Sequence, residues 1–259
     1  MNIYKIIQEI GNVAPEVNEN LSRRGMFKQA SSFGRNLAIV SLPIAMGGLF
    51  KKAYGNSKES VTEVLNFALT LEYLEDEFYK KGLAAGALIP ENRKAIFQQI
   101  GKHETAHVAF LMSVINSMGA TAVSKPIFDF TAKGTYPDVF TNYQTFLALS
   151  QAFEDTGVRA YKGRAAELMG NDVVLTAALQ IHSVEARHAS IVRRLRAEKG
   201  WITGNTGTPA AVYEGEDNVI HGGANVTSLG YSAAVATQAF DEPLTPAKVL
   251  AIAGLFIIT

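Results

Sequence analysis

The stretch Ile100–Leu111 reads IGKHETAHVAFL, and the stretch Ile181–Val192 reads IHSVEARHASIV. The first sets Glu104 and His107 between Ile100 and Leu111; the second sets Glu185 and His188 between Ile181 and Val192. Steps of four, three and four put such residues on one face of a helix. A packed helix buries that face, so each stretch predicts a carboxylate and an imidazole inside a core. A buried carboxylate without a partner costs several kcal/mol. The rest of the chain has to supply the compensation.

Two further helices carry seams of the same kind. One reads Val61, Leu65, Ala68, Glu72, Glu75, Tyr79, and the other Leu147, Ser150, Glu154, Gly157, Tyr161. The stripe through Glu104 continues to Val114 and Met118, and the one through Glu185 extends from Val174 and Ala178 to Leu195. Boundary signals delimit all four helices. Ser60 and Glu63 form a capping box near the start of the first, which spans about 57–85. The second opens at Pro90-Glu91 and stops at Gly119. The third starts between Asp138 and Thr141 and stops at Gly170. The fourth is capped by Asn171 and stops at Gly200, with Arg193, Arg194, Arg196 and Lys199 in its last turns. Helices of roughly 40–48 Å need a partner along their whole length. The prediction is all-α: an antiparallel four-helix bundle with a long crossover between helices two and three and an irregular C-terminal extension. Thr245-Pro246 begins a last short helix.

The chain also repeats itself. Glu72 and Glu154 are 82 residues apart, as are Tyr79 and Tyr161; Glu104 and Glu185 are 81 apart, as are His107 and His188. Two hairpins related by a pseudo-two-fold axis would present two equivalent half-sites at mid-bundle. Four carboxylates meeting there would repel one another and resist ionisation. Shared metal cations are the economical remedy. Cysteine is absent, which excludes disulfides, iron–sulfur clusters and thiolate zinc sites. Any metal is therefore held by oxygen and imidazole donors, a set that suits iron or manganese.

Composition bounds the rest. Lys+Arg and Asp+Glu both number 24 in 259 residues, giving zero net charge. No basic surface speaks for nucleic acid. Residues 1–55 form a leader-like segment, 56–200 the bundle and 201–259 the extension. Within the leader, Ser22-Arg23-Arg24-Gly25-Met26-Phe27-Lys28 precedes an apolar run from Leu37 to Phe50. This is similar to a twin-arginine export signal and predicts a periplasmic or otherwise exported protein, with a cytoplasmic one as the alternative. That run is too short to cross a bilayer. The shorter stretch Val249–Ile258 is expected to dock on the protein, and no transmembrane span is predicted.

One Glu, then Glu-x-x-His, then Glu, then Glu-x-x-His on four successive helices resembles the ferritin-like dimetal carboxylate pattern. The resemblance implies Glu72 and Glu154 as terminal ligands, Glu104 and Glu185 as bridging ligands, and His107 and His188 as nitrogen ligands. It implies two iron ions, or two manganese ions, and O₂ or peroxide as small-molecule substrate in oxidase or peroxidase chemistry. The leader and the tail containing Phe240-Asp241-Glu242-Pro243-Leu244 look like those of bacterial ferritin-like proteins related to plant desiccation proteins. A non-enzymatic metal-binding or stress-protective role is the alternative, with a buried network lacking metal as a third reading. His103-Glu104-Thr105-Ala106-His107 also spells the His-Glu-x-x-His signature of zinc peptidases, in which His103 and His107 would hold one zinc ion. Tyr79 and Tyr161 read as core residues, with redox-active groups or partners of the ligands as the alternatives. Glu75 reads as an extra ligand, a proton shuttle or a half-exposed acid. Glu77, Lys80, Arg193 and Arg194 read as solvated charges. The oligomeric state is left open.

Overall fold

The computed structural model describes residues 60–207 and 209–258. Four long helices dominate: α1 Val61–Ala84, α2 Glu91–Ser117, α3 Tyr143–Arg164 and α4 Asp172–Leu195. The cap of α1 forms as expected, with Ser60 accepting from the Glu63 amide and Glu63 reaching back to the Ser60 amide. Asn142 and Asn171 cap α3 and α4 through their side-chain oxygens. Short links after α1 and α3 make two antiparallel hairpins. The export-like leader lies outside the described residues. Among those described, no helix is long and apolar enough to cross a membrane.

Two helix ends differ from expectation. The third helix closes at Arg164 and tightens into a 3-10 turn, Ala165–Leu168, rather than running to Gly170. The fourth closes at Leu195 because Ala197 turns left-handed, φ 60°, so Gly200 and Lys199 lie beyond it. Met118 also leaves its expected seam. It follows the last turn of α2 and is exposed, and Ile115 takes the buried position.

The four helices are not buried alike. Each of α2 and α4 buries one stripe, as the seams predict. By contrast, α1 and α3 are buried nearly all round. Their outer faces are covered by the 118–142 crossover and by the C-terminal extension. Crossover strand β1, Ile127–Phe128, pairs antiparallel with β4, Ile257–Ile258, at the chain's far end. Between them Phe130 and Phe78 meet at 5.3 Å, and Phe153 meets Phe256 edge-on at 4.8 Å. Phe256 follows α6, Pro246–Ala253, whose Val249 and Ile252 are buried. The stretch Val249–Ile258 therefore docks on the protein, as its composition predicts.

Arginine clamps bind the extension to α3. Arg159 is fully buried, donates to the carbonyls of Val212, Glu214 and Glu242, and pairs with Glu216 at 2.9 Å. Close approach is allowed one turn later by Gly163, where any Cβ would collide with the Leu244 carbonyl. The remaining elements of the extension are 3-10 turns at Ala210–Tyr213 and Val226–Leu229, a two-residue hairpin of β2 Ile220–His221 and β3 Ala224–Asn225, and the short helix α5 Ala233–Thr237.

Candidate metal centre

The six expected residues converge at mid-bundle. Glu72 comes from α1, Glu104 and His107 from α2, Glu154 from α3, and Glu185 and His188 from α4. The four glutamates are fully buried, and both histidines are nearly so. His107 Nδ1 lies 3.1 Å from Glu72 Oε2, 3.1 Å from Glu104 Oε2 and 3.2 Å from Glu185 Oε1. His188 Nδ1 lies 2.8 Å from Glu104 Oε1, 3.3 Å from Glu154 Oε2 and 3.9 Å from Glu185 Oε2.

Two groups emerge, each with donor atoms mutually within 4.8 Å. One is Glu72, Glu104, His107 and Glu185; the other is Glu104, Glu154, Glu185 and His188. Glu104 and Glu185 belong to both. The pseudo-repeat thus becomes a pseudo-two-fold arrangement in space.

The surroundings orient these side chains. Tyr161 donates to Glu72 Oε1 at 2.5 Å, which leaves Oε2 facing His107. Tyr79 donates to Glu154 Oε1, which leaves Oε2 facing His188. Each tyrosine serves the glutamate of the other hairpin. Burial and the adjacent carboxylates push both phenols well above their ordinary value, so they remain donors. His188 also has an outer partner. Its Nε2 lies 2.8 Å from His103 Nδ1, and His103 Nε2 lies 2.7 Å from Gln99.

That contact bears on the peptidase signature. A zinc ion held by His103 and His107 needs both rings on one point. The His103 ring instead stacks on His188 at 5.1 Å and belongs to neither donor group. The sequence repeat supplies no counterpart for His103, so its contact with His188 went unseen. The available signal was Gln99 four residues before His103, a polar ridge beside the seam on the side turned to α4.

The electrostatics show what the cluster lacks. Burial and Glu185 push the Glu104 carboxyl up to about 7, against the pull of the two histidines beside it. Burial and Glu72 push Glu185 up to about 8. Burial opposes charge on the imidazoles, yet the carboxylates outweigh it and raise His107 to about 12 and His188 to about 11. Among the described residues, protons are thus what compensates the clustered carboxylates. They leave Glu104 Oε1, Glu154 Oε2, both Glu185 oxygens and His188 Nδ1 buried without a hydrogen-bond partner among the described residues. The 2.8 Å approach of His188 Nδ1 to Glu104 Oε1 is not aligned as a hydrogen bond. Leaving a buried polar atom unsatisfied costs about 1–3 kcal/mol. Cations at the two convergence points would satisfy these atoms together, so the residues fit a pair of metal ions.

An apolar cavity of about 550 Å³ adjoins the cluster, lined in part by Ala68, Leu111, Tyr161 and Ile181. Ala68, Leu111 and Ile181 each lie one helical turn from Glu72, His107 and Glu185 respectively. The cavity floor and the donor cluster are adjacent layers of the bundle.

Three charge assignments need correction. Arg193 is buried rather than solvated, and it grips Asp155 through Nε at 3.1 Å and through Nη2. Tyr213 of the extension donates to the same carboxylate at 2.8 Å. Glu75 is 3% exposed, not half-exposed. Glu77 pairs with Lys125 at 2.7 Å from the crossover. Lys80 stays exposed and pairs with Asp76.

No curated protein matches the chain. The profile of a Ferritin-like domain matches residues 60–198. That span is more than half of the chain, and it runs from the cap of α1 to just beyond the end of α4, so it takes in the whole bundle and all six donors. With the fold, the repeat and the profile in agreement, this chain belongs to the ferritin-like domain family.

Proposed function

We propose that the protein holds two iron ions, or alternatively two manganese ions, in an oxidase- or peroxidase-type centre. The carrying observation is that two four-residue donor groups share Glu104 and Glu185. In this reading Glu104 and Glu185 would be shared by the two ions, Glu72 and Glu154 would each serve one, and His107 and His188 would offer nitrogen through Nδ1. Two such ions supply the electrons for reducing O₂ or peroxide.

The chain's own residues set the conditions. Tyr79 and Tyr161 hold the outer oxygens of the terminal carboxylates, so the inner oxygens are presented in fixed positions. His103 holds the outer nitrogen of His188, which turns Nδ1 inward. Ala68, Leu111 and Ile181 set an apolar floor between the cavity and the donor cluster. Carboxylates can change between one and two bound oxygens, which lets the cage follow changes in metal charge.

The test is anaerobic loading of metal-free protein with Fe(II), followed by elemental analysis. Two ions per chain are expected. Repeated turnover of peroxide by the loaded protein supports the enzymatic reading, and a single stoichiometric oxidation supports sequestration. A protein that retains no iron or manganese removes the dimetal reading altogether.

A further inference from the structure

Glu75 lies one turn after Glu72 on α1, on the same seam. It is as buried as the core around it, yet no hydrogen-bonding or cationic partner faces it among the described residues. The groups that act on it are the carboxylates of Glu185, Glu154, Glu104 and Glu72. The gap beside it is a cavity of about 10 Å³, lined also by Gly157 and by Ile252 and Ala253 of α6. That is at or below the smallest space that holds one water molecule.

The gap exists because of a glycine. Gly157 on α3 occupies the position that Glu75 occupies on α1, since 82 residues separate them as they separate Glu72 and Glu154. A Cβ at Gly157 would lie 3.2 Å from Glu75 Oε1 and 3.3 Å from Glu185 Oε2. Both oxygens therefore border one small space, although Glu75 stands outside the two four-residue donor groups and would have to turn toward Glu185 to join one. The pseudo-two-fold would place two carboxylates there; the chain keeps one and clears the other side for it.

We propose that Glu75 is a fifth carboxylate ligand of the centre, bound to one ion alongside Glu185 and favouring the oxidised pair. This rests on the dimetal reading above. Charge decides the preference. Glu72, Glu104, Glu154 and Glu185 balance two divalent ions. Two trivalent ions carry two further charges, and Glu75 neutralises one of them inside a low-dielectric core, where the gain is large. Because Gly157 offers no counterpart, the two ions become chemically unequal.

Glu75→Gln tests this, since it keeps the shape and removes the charge. Wild type and variant are loaded with two Fe(II) per chain, oxidised, and challenged with a ferric chelator. The variant is expected to load two ferrous ions normally, release ferric iron about tenfold or more faster, and show shifted ferric charge-transfer bands. Gly157→Ala crowds the same carboxylate from the other side and is expected to move the bands in the same direction. Equal release and unchanged bands in both variants overturn the role of Glu75 while leaving the dimetal reading intact. Wild-type protein that loads no iron overturns both.

Discussion

Tyr161 on α3 donates its hydroxyl to Glu72 on α1 at 2.5 Å, and the neighbouring phenol, Tyr79, repays the contact by donating to Glu154 on α3. The exchange ties the two hairpins together at the level of the donor cluster. Tyr161→Phe removes one donor and leaves Glu72 Oε1 unsatisfied. Outer hydrogen-bond partners of metal ligands are worth about 10–100-fold in affinity. If the centre holds two ions as proposed, the variant is expected to release one of them that much more readily in chelator competition, with the second held as in wild type. Identical release of both ions would reduce Tyr161 to a core side chain.

The metal-free protein should weaken as pH rises from acid to mildly alkaline. Glu104 and Glu185 sit above their ordinary value of 4.5, at about 7 and about 8. Folding therefore favours their protonated forms. That contribution is complete below 4.5 and is lost as pH rises through 7 and 8. His107 and His188, raised from an ordinary 6.5 to about 12 and about 11, add to the fall, because their contribution is complete only below 6.5 and is lost progressively above it. Bound metal replaces the protons and removes the loss. Thermal unfolding of metal-free protein should show a falling Tm between pH 5 and 8, with the gap to loaded protein widening. A gap that narrows with pH would contradict this account of the cluster.

The donor set was legible because a polar residue on an apolar seam violates the pattern that builds the helix. Glu72, Glu104, Glu154 and Glu185 each break a stripe with a period near 3.6, and the repeat aligns the breaks. What covers the bundle was not legible. Strands β1 and β4 are two residues long and pair Ile127 with Ile258 across the bundle, so neither carries an alternating pattern. Arg193 misled for a different reason. Basic residues near a helix C-terminus normally answer the helix dipole, and nothing local marks the Asp155 partner 38 positions away. The same holds for Arg159, which donates to backbone carbonyls of an irregular segment and whose acidic partner, Glu216, lies in that same distant segment.

The Asp155–Arg193 pair should be structural and costly to break. Both groups are buried, and Asp155 also accepts from Tyr213 of the extension. Removing one partner of a buried pair strands the other charge and typically costs about 3–5 kcal/mol. Arg193→Leu should lower the urea midpoint by a corresponding amount, and Arg193→Leu with Asp155→Leu should recover a large part of the loss. Since Asp155 adjoins Glu154 in sequence, loosening of the ion next to Glu154 is expected in the single variant. A double variant no more stable than the single would show that the network, not the lone charge, carries the stability.

The dimetal and single-zinc readings share Glu104 and His107, so changes there cannot separate them. His188→Ala, Glu185→Ala and His103→Ala can. In the dimetal arrangement His188 offers Nδ1 to one donor group and Glu185 belongs to both. Either change should remove much of the bound metal. In the peptidase arrangement both lie outside the ligand set, and one zinc ion per chain should persist. His103→Ala makes the reverse comparison. The sequence repeat assigns His103 no partner and predicts no effect on dimetal occupancy. The contact with His188 Nε2 changes that expectation. Losing it should weaken one ion by about 10–100-fold, the scale of an outer-shell partner, without emptying the centre. A zinc site would lose one of its two helix ligands and with it the metal. The measurement is metal content per chain after dialysis, then affinity by chelator competition. Full metal retention in Glu185→Ala together with complete loss in His103→Ala would sink the dimetal reading. The opposite pattern, with a modest affinity loss in His103→Ala, is what a histidine that orients His188 from outside the cluster should produce.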